Sequence, residues 1–418
     1  MSDPRLQAAL ILQEILEQKV FAAEAKSHLD SQAANDLPFI NMLVQTSLRH
    51  LVYIKQVLKN FIKKKLPKDS AFGYYALILG ATEVLYLRTP DYAVINSYVD
   101  ITKKHLNKFV GGFVNAVLRK VCADKEKFIQ EDTGLFFPND FRGLINNDYG
   151  RKTASLIEKA AIKEPALDIS VKTGVKLPNA TILPLGTNRL KNDGSPAKIA
   201  GYNEGLWWVQ DFSSALPVKL LGDIKGKRVL DLCAAPGGKT AQLINAGARV
   251  TAVDVSPARL KRLSENLQRL NMSTEKTICA DGLEYLRNFS DEPFDIILLD
   301  APCSATGTLR RHPEIVHIKS AADIAKSADL QKQFLTLADN ALKPNGILLY
   351  CTCSLAKTEG EKQISEFVKT SPYVLDKPVL PTELKELQSV EGWVRILPSN
   401  LQTFGGADGF FIAILHKE

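Results

Sequence analysis

Cys303 in IILLDAPCSATG and Cys353 in ILLYCTCSL each stand beside turn-forming residues at the end of an apolar run. A free cysteine is most often a small buried apolar residue, so neither thiol decides anything alone. Asp300, three positions before Cys303, shifts the weighting by adding a carboxylate where a buried run meets a turn. Two thiols and a carboxylate at one edge of a sheet could perform covalent chemistry. The thiolate is the competent nucleophile, and it forms where a cationic neighbour or a helix N-terminus depresses the thiol pKa.

The segment DLCAAPGGKT follows the run RVL and precedes the helix-like TAQLINAG. Its residues Cys233, Ala234, Ala235, Pro236, Gly237, Gly238 and Lys239 form a strand-to-helix turn where backbone approaches a ligand closely. A Walker A loop needs glycine at the place of Cys233, and the GxGxxG of a dinucleotide site is absent. S-adenosylmethionine remains, because its sulfonium and amino acid end need a carboxylate and a tight turn rather than phosphate donors. Asp254 in TAVDVS, 23 residues beyond Asp231, stands where a ribose diol would be held. Asp281 in ICADG closes the pocket beside the adenine. Any one of these acids reads as a cap; three at successive strand ends, with the glycine turn, read as a cofactor pocket.

With a methyl donor at that edge, the thiols suit methylation of carbon 5 of cytosine. That carbon is a poor nucleophile until a thiolate adds at carbon 6, and covalent addition splits one hard step into easier ones. A base must then remove the carbon 5 proton, and the thiolate must leave. Alternation along a strand puts Cys351 and Cys353 on one face, so the pattern does not separate them.

The elements that must position these residues are legible around them. At 418 residues the chain is expected to form more than one domain. Residues 1–134 read as an all-α bundle, with Asp3 and Pro4 opening the first helix. Residues 135–205 read as a small connecting module of short strands and helix. Residues 206–418 alternate short Val/Ile/Leu runs with helical patterns, the signature of a doubly wound, mostly parallel α/β sheet. The expected class is therefore α+β multidomain with a Rossmann-like C-terminal domain.

Six cysteines, none at metal-site spacing with histidine, predict neither a disulfide framework nor a metal. No apolar run reaches membrane-spanning length and the N-terminus is wrong for a signal peptide, so a cytoplasmic protein without membrane contact is expected. The net charge of +7 favours a polyanionic partner mildly. Lys55, Lys59, Lys63, Lys64, Lys65 and Lys68 fall in a stretch with no acid, which suits either a solvated helix face or an RNA-contacting one. Arg310, Arg311 and His312 follow the Cys303 loop and are placed to grip RNA phosphate. Trp207 and Trp208 suit either base stacking or core packing.

DLCAAPGGKT, AVDVSPARL, DAPCSATGTLRRHPEI and YCTCSL together resemble the Sun-type RNA cytosine-C5 methyltransferases, and GGFVNAVLRK resembles the last helices of a NusB-like RNA-binding domain. The resemblance implies a methyl group passing from S-adenosylmethionine to carbon 5 of a cytidine in 16S ribosomal RNA, free or partly assembled, and a monomer is expected. It implies Cys353 as nucleophile, Cys303 as the thiol assisting product release, and Cys233 to Lys239, Asp254, Asp281 and Asp300 at the cofactor, with Asp300 also near the cytosine ring. A transfer RNA methyltransferase of the same chemistry and a non-catalytic NusB-like assembly factor are the alternatives. Glu314, His317 and Gly360 depart from the family pattern, where Asp, Trp and Asn are usual.

Overall fold

The computed structural model describes residues 3–28, 36–63, 67, 70–178, 180–190 and 195–418; Lys64, Lys65 and Lys68 of the basic stretch lie outside them. The chain divides into two compact units, Met1–Lys163 with Leu309–Ser320, and Glu164–Thr308 with Ala321–Glu418. The expected boundary at 134 therefore falls inside the first unit, and the 135–205 stretch is shared between the two.

The first unit is helical. Its helices are α1 (Pro4–Gln18), α2 (Ala22–Ala25), α3 (Leu37–Lys59), α4 (Ala71–Tyr86), α5 (Asp91–His105), α6 (Lys108–Ala123), α7 (Lys125–Glu131) and α8 (Asn139–Ala161), the last interrupted at Gly150. The Asp3 carboxylate accepts from the Arg5 amide at 2.9 Å, and Pro4 occupies a position whose N–H would be unpaired anyway. Helix α4 is apolar nearly all round and buried accordingly. At Gly80 it lies so near α6 that an added Cβ would stand 2.8 Å from Leu118 Cδ2.

The second unit holds two sheets. A four-stranded antiparallel sheet is built from β1 (Leu167–Val171), β2 (Thr181–Ile182), β3 (Asn188–Leu190) and β4 (Trp207–Val209), in the order β2-β3-β1-β4. Trp207 and Trp208 are buried in it, which makes both core residues rather than base-stacking platforms. The elements that follow are α9 (Phe212–Lys219), β5 (Arg228–Leu232), α10 (Gly238–Asn245), β6 (Arg249–Asp254), α11 (Pro257–Arg269), β7 (Lys276–Cys279), α12 (Gly282–Arg287) and β8 (Phe294–Asp300). After the short helix α13 (Ile315–Ile318), which belongs to the first unit, come α14 (Ala321–Ala338), β9 (Leu342–Thr352), α15 (Glu361–Thr370), β10 (Tyr373–Leu375), β11 (Val394–Ile396) and β12 (Phe410–Lys417).

The large sheet has the order β10-β12-β9-β8-β5-β6-β7, with β11 beside β12. From β9 to β7 all pairs are parallel, whereas β12 runs antiparallel to β9. Runs such as Ile296–Leu299 are continuously apolar because helices cover both faces. Among the described residues no helix is long and apolar enough to cross a membrane.

A buried ion pair ties the small sheet to the rest of this unit. Asp168 accepts from Arg189 Nε at 2.6 Å and Nη2 at 2.7 Å, and from the Phe212 amide at 3.1 Å, while Arg189 Nη1 donates to the Gly406 carbonyl at 2.9 Å. Removing one partner strands the other in the interior. Asp168→Ala is expected to lower unfolding free energy by about 3–5 kcal/mol, read from urea denaturation; a loss below about 1 kcal/mol would mean the pair behaves as a surface one.

Candidate active site

Strands β8 and β9 pair in parallel with Asp300 opposite Cys351. Their C-terminal ends therefore release two loops side by side, one carrying Cys303 and the other Cys353. The loops are stitched by backbone: the Ala301 amide donates to the Cys351 carbonyl at 3.0 Å and the Gly307 amide to the Cys353 carbonyl at 2.8 Å. Gly307 has no room for a side chain, since a Cβ would lie 2.0 Å from the Gly409 carbonyl oxygen. The result is a separation of 3.3 Å between the sulfurs of Cys303 and Cys353.

This geometry separates the two thiols that alternation could not. Cys353 is partly exposed and lines a cavity of about 430 Å³, whereas Cys351 is fully buried with its sulfur 3.5 Å from Asp300 Oδ1. Burial, reinforced by the Asp300 charge, holds the Cys351 thiol well above its ordinary pKa. The hydrogen bond with Cys353, and then burial, does the same to Cys303. Burial also pushes up Cys233, with Asp300 and Asp254 adding to it.

Lys239 supplies the cation. It is nearly buried at the start of α10, 2.7 Å from Asp300 Oδ2 and 3.1 Å from Ser214 Oγ, and lies over the Phe410 ring. Burial alone would lower its pKa, but the ion pair and hydrogen bond with Asp300 more than offset that and leave it above the usual lysine value. Of the Cys233–Lys239 turn expected at the cofactor, Cys233 lines the cavity and Lys239 is directed to Asp300, while Ala234, Ala235, Pro236, Gly237 and Gly238 shape the turn.

The turn is held by Asp254, whose Oδ2 accepts from the Ala235 amide at 3.1 Å and whose Oδ1 accepts from the Ser256 amide at 3.0 Å. Gly237 adopts φ 97° and packs so closely that a Cβ would lie 2.9 Å from Leu263 Cγ. Asp281 caps α12 through Oδ1, which accepts from Leu283 and Glu284 amides at 2.8 and 3.1 Å. Asp254, Asp281 and Asp300 all line the cavity with Gly282 and Phe334. The volume and the row of carboxylates fit S-adenosylmethionine, which carries a cationic end and a diol. Among the described residues, no group of three or more histidines, cysteines or acids is placed to hold a metal.

Arg310, Arg311 and His312 lie in the first unit, on the Leu309–Ser320 segment. Arg310 is only 2% exposed, so it has no face to offer phosphate; Arg311 is half-buried and His312 exposed. The same packing accounts for two of the departures. Glu314 is buried and accepts from the Ala22 amide at 3.2 Å, and His317 Nε2 bonds the Leu48 carbonyl at 2.9 Å. Burial lowers the His317 pKa to about 4. No periodicity in RRHPEIVHI signalled that the segment packs among helices.

Asp231 escaped a chemical role at the sequence level. It is fully buried on β5, accepting from Thr240 Oγ1 at 2.6 Å, and burial raises its pKa to about 7, helped by Asp300 and Asp254. Between its unfolded value near 4 and this folded value the native state binds the extra proton, so rising pH removes stability across that window. Asp231→Asn is expected to flatten the loss, measured as the difference in urea midpoint between the two proteins at pH 5 and pH 8. An unchanged difference would mean Asp231 ionises normally.

With the geometry in place, comparison with known proteins is direct. A family model for 16S rRNA methyltransferase RsmB/F matches residues 218–416, and one for the NusB family matches residues 2–123. Ribosomal RNA small subunit methyltransferase B of Pasteurella multocida (strain Pm70) is 30% identical over 440 residues, covering 100% of this chain and 96% of that protein. The protein of the same name from Photorhabdus laumondii is 32% identical, covering 91% of each chain. The crystal structure of PH0851 shares the fold with a TM-score of 0.77 at 22% identity, across 100% of this chain and 99% of that one. A full-length match of this kind, with both domains in order, means that the chain belongs to the ribosomal RNA small subunit methyltransferase B family.

Proposed function

We propose that the second unit methylates carbon 5 of an unpaired cytidine in 16S ribosomal RNA through a covalent adduct with Cys353. The observation carrying this reading is the pair of sulfurs 3.3 Å apart on a cavity that also presents Asp254, Asp281 and Asp300. S-adenosylmethionine, when bound, supplies an electrophilic methyl group. The chain's own residues do the rest.

Cys353 adds to carbon 6 of the ring, with the Lys239 ammonium at the same corner. Asp300, held by Lys239 and open to the cavity, holds the ring and steadies its protonated nitrogen 3. Addition makes carbon 5 enamine-like and able to take the methyl group. Cys303 then assists loss of the carbon 5 proton, after which the Cys353 sulfur leaves. The target base must be unpaired or flipped from its stack to reach the cavity. Arg311 and His312 remain the candidates of that segment for phosphate contact, and the helical unit, which matches the NusB family, is the RNA-binding part.

Two experiments test the reading. Cys353→Ala should abolish transfer to RNA, while Cys303→Ala should accumulate a protein–RNA adduct that survives denaturing gels; transfer by the first or no adduct with the second would overturn the assigned roles. Protein-free 16S RNA should be methylated faster than mature small subunits, because the target base is more accessible there. The reverse preference would contradict a free or partly assembled substrate.

A further inference from the structure

None of the steps above uses Glu359, yet it is fully buried just behind the two sulfurs. Its Oε1 accepts from the Ser304 amide at 2.8 Å and from Gln331 Nε2 at 3.0 Å. Its Oε2 accepts from the hydroxyls of Ser304 and of Ser354, the latter at 2.5 Å. Ser304 directly follows Cys303, and Ser354 directly follows Cys353. The backbone carbonyl of Glu359 adds a further hold on the end of β9, accepting from the Tyr350 hydroxyl at 2.8 Å. Gln331 extends the web to the residue before Cys303, donating to the Pro302 carbonyl at 2.9 Å.

A buried carboxylate is costly unless its oxygens are fully served by donors. Here four donors converge on two oxygens, the arrangement an ionised, acceptor-only carboxylate requires. The fold thus places a buried carboxylate where it touches both cysteine loops, beside the direct contact of the Ser304 and Ser354 hydroxyls at 3.1 Å. A purely packing residue at this position would be apolar. The charge also adds to the forces that keep the Cys303 proton in place.

We propose that Glu359 is a positioning residue that fixes the spacing and aim of the two reactive sulfurs by clamping Ser304 to Ser354. The proposal rests on the reading that both thiols act in methyl transfer, and its test includes a readout that does not. Glu359→Ala opens the clamp, whereas Glu359→Gln can still reach both serines once their hydroxyls turn to accept. A displacement on the 1 Å scale should cost the Ala variant about 10²-fold in kcat, with KM for RNA and for S-adenosylmethionine nearly unchanged and the Gln variant recovering most of the rate. Independently, diamide should take two electrons and two protons from the thiols of the wild-type and Gln proteins to give a Cys303–Cys353 disulfide, identified by peptide mass spectrometry. That linked peptide should be lost in the Ala variant while alkylation of exposed Cys279 proceeds unchanged.

If Glu359→Ala does not fold, Ser354→Ala, which removes one arm, should show the same two losses in weaker form. Equal disulfide yield in the Ala and wild-type proteins, or a kcat unchanged by opening the clamp, would overturn the proposal. Loss of the disulfide together with methyl transfer by Cys353→Ala would leave the clamp standing and remove the covalent reading instead.

Discussion

Everything at the site depends on the parallel pairing of β8 with β9. Because Asp300 lies opposite Cys351 in that register, the loop after each strand emerges at the same edge and the same height. A shift by one residue would turn every side chain of one strand to the other face and separate the sulfurs. The register is in turn secured by apolar runs buried on both faces and by the backbone bonds from Ala301 and Gly307 to the other loop.

Around this edge the charges are arranged in layers. Lys239 pairs with Asp300 at the cavity wall, Asp231 lies deeper with a raised pKa, and Glu359 sits behind the cysteine loops among hydroxyl donors. One ammonium therefore faces several carboxylates and thiols. At this edge the hydrogen bond to Cys353 and burial hold the Cys303 thiol above its ordinary pKa.

The sequence was informative where the physics is local. The Val/Ile/Leu runs became β5, β6, β8, β9 and β12, and Cys233 after β5, Asp254 at the end of β6 and Asp281 after β7 came to the cavity because strand ends in a parallel sheet share an edge. What stayed hidden depends on contacts distant in sequence. Glu359 looks like any surface glutamate in KTEGEK, and only the meeting of two loops reveals its role. Arg310 reads as a free basic residue, but its segment packs in the helical unit and buries it. Lys239 follows a glycine turn and reads as a ligand group, and its pairing with a carboxylate 61 residues away could not be read from that turn. Alternation puts Cys351 and Cys353 on one face, so at the sequence level only the family resemblance preferred Cys353; the fold adds that Cys351 is fully buried whereas Cys353 reaches the cavity.

In the proposed reaction Cys353 forms the bond to the base. RNA carrying 5-fluorocytidine at the target position cannot lose a proton from carbon 5, so the adduct should persist with the methyl group attached. Digestion and mass spectrometry of that complex should find the nucleotide on the peptide containing Cys353. A nucleotide linked to Cys303 instead, or no covalent complex at all, would contradict the account.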